Sequence, residues 1–306
     1  MALASNKTVV FFLKLAVSSL ALYVVFSKAD EGQILSILKS IGVFYFFSSV
    51  LLYISAQLVS SYRWKLLLPE KFTVRRLFSI YMIGAFFGSF MPGIIGGDAV
   101  RAYYLNKKAK KMSLTLASIF MDRYFGYVSL MLIGISAAPF ALRYFGDSPY
   151  RWLMPFIFAA FITGSILFFG LQIGKKFRGV SEFYEYFIML KTQKGTMIKA
   201  VLISFLVQFL NFGIVVVLAA GMGEKIPLLL LFVFLPIVIT ITTIPVSISG
   251  LGVREGTFVI LLGLIGVRPE IATSLSLAYF FSVFAGSVPG LAFYFALTKK
   301  TDRTGA

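Results

Sequence analysis

Long runs of apolar residues alternate with short polar segments along almost the whole chain. Six of these runs have roughly the 17–25 residues that an α-helix needs to cross the hydrocarbon core of a bilayer. They lie at about 9–27, 41–62, 113–138, 152–173, 199–221 and 271–297. The pattern therefore predicts an all-α, polytopic membrane protein with about six spanning helices.

Two further apolar stretches, 77–104 and 226–266, are interrupted by glycine and proline. The interrupting residues are Gly84, Gly88, Pro92, Gly93, Gly96 and Gly97 in the first stretch, and Pro236, Pro245, Gly250, Gly252 and Gly256 in the second. Backbone groups that leave a helix inside a membrane must line a cavity or meet a partner. We therefore expect two broken helical segments that enclose polar space.

The first apolar run has two interpretations, a cleaved signal peptide or a retained membrane anchor. Its extent, 9–27, suits a spanning helix better than a signal core, and Lys14 interrupts it. The retained anchor is therefore the favoured interpretation.

The basic residues are distributed unevenly among the polar segments. Segments 63–76 and 101–111 carry five Lys or Arg each, 175–199 carries six and 299–303 carries three. By the positive-inside rule these segments lie in the cytoplasm, and so do both termini. This distribution predicts a multi-pass protein of the cell (inner) membrane.

Segments 63–76 and 101–111 then lie on the same side, so the stretch between them cannot cross the membrane once. It is predicted to be a re-entrant hairpin entered from the cytoplasm. For 226–266 the charges allow two courses, a second re-entrant hairpin entered from outside or two full crossings.

A short internal repeat favours the hairpin in both places. Pro92, Gly97 and Arg101 have the spacing P-x4-G-x3-R, and the same spacing recurs from Pro245 to Arg254. We therefore expect a single transmembrane domain over 1–306, without a soluble catalytic domain, built from inverted repeats at about 1–145 and 146–300. Interrupted segments at matching points of two halves indicate the binding site of a transporter.

Several ionisable residues lie at or near the breaks, where burying a charge at the bilayer centre costs about 2.5–3.5 kcal/mol or more. The candidate substrate-binding residues are Asp98, Arg101, Asp122, Arg123, Arg254 and Glu255, together with Gly97, Gly250 and Ser249. Arginine grips phosphate with two parallel hydrogen bonds, and helix N-termini after the two glycines would attract an anion.

Three alternatives stay open for these and neighbouring residues. Asp98–Arg101 and Asp122–Arg123 can be structural ion pairs instead of cavity-lining groups. Ser247 and Ser249 can donate to a headgroup or cap freed carbonyls. For Gln208 and Asn211, hydrogen bonding between helices is favoured over contact with the cavity.

Segment 180–191 is amphipathic, and this pattern predicts an interfacial anchor helix.

The composition narrows the chemistry. Hydrophobic residues make up 59% and charged residues 13%. With no Cys and no His, a thiol or imidazole nucleophile and a conventional zinc site are excluded, and no cofactor is expected. The formal net charge is +17, and the basic residues that produce it lie in short loops between apolar runs. This distribution favours anionic lipid headgroups over nucleic acid as partners. A homo-oligomer is left open, and no G-x-x-x-x-G-K-[ST] loop for ATP occurs.

Three motifs carry a family resemblance. They are Gly-Gly-Asp-Ala-Val-Arg at 96–101, Met-Asp-Arg-Tyr-Phe-Gly at 121–126 and Pro-Val-Ser-Ile-Ser-Gly-Leu-Gly-Val-Arg-Glu-Gly at 245–256. The chain resembles the lysylphosphatidylglycerol synthase transmembrane (flippase-like) family over nearly its whole length. The resemblance implies a bacterial or archaeal protein similar to the flippase part of the bifunctional synthase/flippase, which is associated with moving aminoacylated phosphatidylglycerol between leaflets.

The chain departs from the bifunctional proteins in one respect. Their soluble aminoacyltransferase domain does not follow the last helix here, since the sequence stops at Ala306. Lysyl transfer is therefore not expected, and the lipid is not carried over. The leading expectation is a flippase or transporter of a phospholipid or other anionic lipid, with or without an aminoacyl group. The alternatives are the membrane part of a lipid aminoacyltransferase or other lipid-modifying enzyme, and a non-transporting accessory subunit.

Overall fold

The computed structural model describes residues 15–27, 29–90, 95–109, 111–172, 178–244, 247 and 250–302. Within these ranges the regular secondary structure is helical throughout, which confirms the all-α prediction. The predictions made for Pro92, Pro245 and Ser249 lie outside the described residues.

The α-helices are, in chain order, α1 (Leu15–Phe26), α2 (Glu31–Ser40), α3 (Val43–Leu67), α4 (Val74–Phe90), α5 (Ile95–Ala109), α6 (Met112–Phe145), α7 (Leu153–Ser165), α8 (Arg178–Thr192), α9 (Lys194–Gly221), α10 (Leu228–Thr243), α11 (Val253–Gly263), α12 (Pro269–Ser287) and α13 (Pro289–Asp302). A 3-10 turn at Pro149–Trp152 precedes α7, and a π-helical turn at Ile166–Gly170 continues it.

Five helical units in the described ranges are long and apolar enough to cross a membrane. They are α3, α6, Pro149–Gly170, α9 and Pro269–Thr298. These units correspond to five of the six predicted spans, which confirms a multi-pass membrane protein. The remaining span is described from Leu15 onward, as the shorter apolar helix α1.

Helix α6 extends beyond its predicted end at residue 138 and continues through Pro139. Small side chains surround the proline, and Ala137, Ala138 and Ala141 are buried against neighbouring helices. In membrane helices such neighbours and small local adjustments compensate for the backbone hydrogen bond that proline removes. Proline at this position therefore does not end the helix.

Both interrupted stretches are broken, although some of the predicted interrupting residues lie inside helices: Gly84 and Gly88 in α4, Gly97 in α5 and Pro236 in α10. Helix α4 ends at Phe90 before α5 begins at Ile95, and α10 ends at Thr243 before α11 begins at Val253. The two helices of each broken segment pack against each other. The re-entrant course of these segments stays a prediction.

A close backbone approach joins α4 to α5. A Cβ atom added at Gly97 would lie 2.5 Å from the carbonyl oxygen of Gly84 and 3.4 Å from the Cα of Gly88. Contacts under 3 Å do not occur between real Cβ atoms and backbone. Glycine at these positions therefore allows the two helices of the first broken segment to lie side by side.

The most extensive helix–helix contact joins α3 and α9, which occupy equivalent positions in the two predicted halves. Around this pair, α6 packs against α9 and against α10 of the second broken segment. Of the last helices of the second half, α12 packs against α3, and α13 packs against α4 of the first broken segment. The broken segments are thus each held by the last helices of the opposite half.

The amphipathic segment 180–191 forms α8, as predicted. Its Tyr184, Tyr186 and Leu190 are buried, and the helix packs against α6. The phenol of Tyr186 donates a hydrogen bond to the carbonyl oxygen of Leu67 at the end of α3. Burial raises the pKa of Tyr186, so this phenol keeps its proton and the bond.

Candidate functional site

Two adjoining cavities lie between the broken segments. The cavity beside α10, here the α10 cavity, has a volume of about 400 Å³ and is lined mainly by α9, α10, α11 and α12. The cavity beside α4, here the α4 cavity, has a volume of about 380 Å³ and is lined mainly by α3, α4 and α5. Four residues line both cavities: Gly88, Arg123, Arg254 and Val283. The two cavities therefore meet at the guanidinium groups of the two arginines.

The α10 cavity has an apolar wall with polar groups at its edge. Its apolar lining residues include Phe212, Leu235 and Phe258, whereas Arg123 and Arg254 lie at the end shared with the α4 cavity. A space of this kind accommodates an amphipathic ligand with a polar head near the arginines.

Asp122 is the centre of a buried polar network behind the α4 cavity. Its side chain is 0% exposed and accepts a hydrogen bond from Arg63 Nε to Oδ1 at 2.8 Å. Its Oδ2 accepts from Arg101 Nη2 at 3.0 Å and from the Tyr81 hydroxyl at 2.5 Å. Arg63 Nη1 also donates to Ser204 on α9 at 2.8 Å. The network joins α3, α4, α5, α6 and α9.

Arg101 is held on several sides. Its guanidinium lies 3.8 Å from the ring centre of Tyr81 and 4.2 Å from that of Trp64, and Nη1 donates to Asp98 at 3.2 Å. Only 4% of its side chain is exposed, although the residue lines the α4 cavity. These contacts fix the position of Arg101 and limit its freedom to follow a moving ligand.

Arg123 pairs with Asp98 on α5. Its Nη2 donates to Asp98 Oδ1 at 3.0 Å, and its Nε donates to the other carboxylate oxygen. The Arg123 side chain is nevertheless 49% exposed, and it lines both cavities. Of the two ion pairs considered from the sequence, Asp98–Arg101 is formed. Asp122–Arg123 is not, because Asp122 is turned toward Arg63 and Arg101.

Glu255 is the buried carboxylate of the second broken segment. Its side chain is 0% exposed and accepts from the backbone N–H of Gly252 at 2.7 Å, from Arg254 Nη2 at 2.7 Å and from Ser276 at 3.0 Å. Glu255 therefore caps the N-terminus of α11, where an anion was expected. A ligand anion at this end would bind to the guanidinium of Arg254, which lines both cavities.

The break before α11 contributes its own groups to the α10 cavity. Gly250 lines it with a φ of +76°, a backbone conformation that favours glycine. Ser247 also lines it, is only 3% exposed, and its hydroxyl has no hydrogen-bond partner in the described structure. Buried hydroxyls normally find a partner, so a polar group of a ligand or water suits this position.

The two polar residues of α9 have different roles. Gln208 Nε2 donates to the carbonyl oxygen of Gly126 on α6 at 2.8 Å, an interhelical hydrogen bond. Asn211 lines the α10 cavity and donates to Val207 in its own helix at 3.0 Å.

Four residues in or beside the network were not candidates from the sequence: Arg63, Tyr81, Ser204 and Trp64. Arg63 was counted as a charge of a cytoplasmic loop, but it is 4% exposed inside α3, where Asp122 compensates its charge. Tyr81 and Trp64 are ordinary aromatic residues of apolar runs in the sequence. The available signal was the continuation of the apolar run beyond residue 62, which places Arg63 within a helix.

Comparison with known proteins adds two findings. A family model described as the transmembrane region of lysylphosphatidylglycerol synthase matches residues 11–290. The chain is also 22% identical over 233 residues to a UPF0104 membrane protein of Methanothermobacter thermautotrophicus, an alignment that covers 65% of this chain and 68% of that protein. No solved structure matches the chain.

Proposed function

We propose that this chain, which belongs to the lysylphosphatidylglycerol synthase transmembrane family, moves a phospholipid or other anionic lipid between membrane leaflets. The observation that carries the proposal is the position of Arg123 and Arg254. These two arginines come from opposite halves of the chain, and both line the α4 cavity and the α10 cavity. The headgroup would pass them while the acyl chains stay in the bilayer.

The reciprocal packing of the helices supports the inverted repeat on which this mechanism depends. Helices α6 and α10 pack together across the halves, as do α4 and α13. In the proposed topology both termini are cytoplasmic, and the two broken segments enter from opposite faces of the cell membrane. Movement of each broken segment against the opposite half would then open the shared site to one leaflet at a time.

The pairing of the carboxylates favours transport over lipid modification. Asp98, Asp122 and Glu255 each accept hydrogen bonds from at least one arginine. A general base needs a carboxylate that is free to contact the reacting proton of the substrate, whereas these three carboxylates are engaged by guanidinium groups of the protein. Labelled charged tRNA with phosphatidylglycerol is the direct check, and a labelled lipid product would favour the enzyme instead.

The presence of the two cavities also argues for transport against an accessory role. A scaffold subunit is expected to have a tightly packed interior, whereas the interior here has a cavity on each side of Arg123 and Arg254. The two arginines that line both cavities could bind a lipid headgroup, a contact that a scaffold subunit does not need.

The test is leaflet transfer in proteoliposomes with acyl-labelled fluorescent phosphatidylglycerol, followed by dithionite quenching of the outer leaflet. We expect Arg123→Gln and Arg254→Gln to slow transfer about tenfold or more, the effect of losing one charge-assisted contact. Arg101 is less suitable, because its loss would also disturb the Asp122 network. Arg143→Gln, at an exposed position near the end of α6, is the matched control.

Equal transfer by the wild type, both variants and protein-free vesicles would contradict the proposed function. Rapid transfer by the wild type that neither substitution changes would leave transport standing and remove these arginines from it.

A further inference from the structure

A groove on the outer surface of the helix bundle is separate from the two cavities. It lies between the end of α2, the beginning of α3 and the second half of α12, and its volume is about 560 Å³. Volumes of roughly 300–1,000 Å³ are typical of small-molecule sites. Helix α12 separates the groove from the α4 cavity, because Phe281 and Phe284 line the groove whereas Phe280 and Val283 line the cavity.

Two hydrogen bonds hold the walls of this groove in place. The hydroxyls of Ser49 on α3 and Ser282 on α12 share a hydrogen bond at 2.7 Å, and both residues are buried. The hydroxyl of Ser274 on α12 donates to the carbonyl oxygen of Ile34 on α2 at 3.4 Å. The three helices are therefore tied together beneath the groove, which is a formed feature of the fold.

The lining is apolar except at one end. Most of its side chains are aromatic or small, namely Phe46, Phe47, Phe281, Phe284, Ala278 and Ala285. The rings of Phe47 and Phe281 are exposed, although α3 and the unit that contains α12 are both long and apolar enough to cross a membrane. An exposed apolar groove on a spanning helix faces lipid, and its shape suits an acyl chain.

Lys39 is the one charged residue among the described residues that line the groove. It lies in the last turn of α2, is exposed, and forms no ion pair with any residue that the structure describes. Because the spanning helix α3 begins at Val43, Lys39 lies close to the level where hydrocarbon gives way to headgroups. A lysine at this level can keep its stem on apolar surface and its ammonium beside a lipid phosphate.

We infer that the groove binds one anionic phospholipid of the surrounding bilayer, separate from any lipid that the protein moves. One acyl chain lies between α3 and α12, and the phosphate binds the ammonium of Lys39. A zwitterionic lipid fits less well, because its own cationic group would lie near Lys39 and no carboxylate is among the described lining residues. The inference does not depend on transport.

The position of the groove gives the bound lipid a structural role. Helices α3 and α12 come from opposite predicted halves of the chain, and the acyl chain would fill the space that Ala278 and Ala285 leave between them. Filling a gap between two helices adds packing contacts on both sides. The lipid would therefore strengthen the contact between the halves next to the α4 cavity.

Photolabelling in liposomes tests the site directly. Phosphatidylglycerol with a diazirine in the middle of one acyl chain would be added in small amount to phosphatidylcholine vesicles that hold the full chain, and labelled peptides would be identified by mass spectrometry. We expect labelling of residues 42–47 and 278–285 to exceed labelling of the lipid-facing surface of α7 about fivefold. A phosphatidylcholine probe with the same chains should label the groove about fivefold less, the effect of one lysine near the membrane surface.

Two variants locate the headgroup and the acyl chain. Lys39→Gln removes the cation, so labelling by the phosphatidylglycerol probe should fall to the level of the phosphatidylcholine probe. Lys225→Gln, at an exposed position away from the groove, is the charge control. Ala285→Leu places a larger side chain in the groove and should lower labelling by both probes. Ala160→Leu, on the exposed face of α7, is its control.

Several results would overturn the inference. Labelling spread evenly over α3, α7 and α12 would show that the groove holds no particular lipid, and its absence from the groove alone would show that something else, such as a second copy of the chain, covers it. Groove labelling that survives Lys39→Gln or Ala285→Leu would also count against the site. Arg254→Gln alters the cavities and should leave groove labelling unchanged, so a parallel loss would make the groove part of the cavity site.

Discussion

Asp122 and Arg123 are consecutive on α6, yet they have different ion-pair partners and different exposure. Asp122 is 0% exposed and bonds to Arg63 of α3, whereas Arg123 is 49% exposed and bonds to Asp98 of α5. One residue therefore belongs to the fixed interior and the next to the cavity wall.

Replacement of Asp122 by Asn should destabilise the protein strongly. It leaves the guanidiniums of Arg63 and Arg101 without their shared counter-charge, and loss of one partner from a buried ion pair costs about 3–5 kcal/mol. The free energy of unfolding, measured by titration with SDS in mixed micelles, is the readout. Arg123→Gln, at a half-exposed position, should change it by about 1 kcal/mol or less. Similar losses in both variants would contradict the division between interior and wall.

Replacement of Gly97 by Ala should separate α4 from α5. The added Cβ would lie 2.5 Å from the carbonyl oxygen of Gly84, a backbone atom that cannot move alone. Overpacking of this kind costs about 1–3 kcal/mol. Gly164→Ala is the matched control because no atom lies within 4 Å of its added Cβ. The control should be neutral or stabilising, and a Gly97 variant as stable as the control would show that the approach is looser than described.

Replacement of Glu255 by Gln should loosen the break before α11. The amide keeps the shape of the carboxylate but weakens the bonds from Gly252 and Arg254, which are charge-assisted. Hydrogen exchange at residues 250–256 should accelerate, with a loss of about 1–3 kcal/mol in local protection. Exchange in α8 is the internal reference, and unchanged rates at the break would exclude the capping role.

The topology can be tested with single cysteines, because the chain has none of its own. Cysteines at positions Lys71 and Lys107 should resist a membrane-impermeant maleimide in intact cells and react after permeabilisation. A cysteine at Lys225 should react in intact cells. Labelling of Lys71 and Lys107 positions from opposite sides would rule out the re-entrant course of the first broken segment.

The sequence by itself determined the class of protein, most of the spans and the places of the two breaks. The reason is that apolar run length and the backbone limits of glycine and proline act locally, within one helix. Five of the six predicted spans are recognised by length and composition, and the breaks fall between Phe90 and Ile95 and between Thr243 and Val253. The missed helix α2 is short, and its signal was the N-cap Asp30, whose side chain accepts from the Gln33 N–H at 3.0 Å.

Only the tertiary structure decided which charges pair and which face the cavities. Arg63 lies 59 positions from its partner Asp122, and although the apolar run continues past Arg63, no local pattern identifies that partner. The choice of Asp98 rather than Asp122 as the partner of Arg123 depends on where α3, α5 and α6 meet. Ion pairs across helices are set by packing, which brings distant residues together, so the sequence supplied the charged groups and the fold assigned their roles.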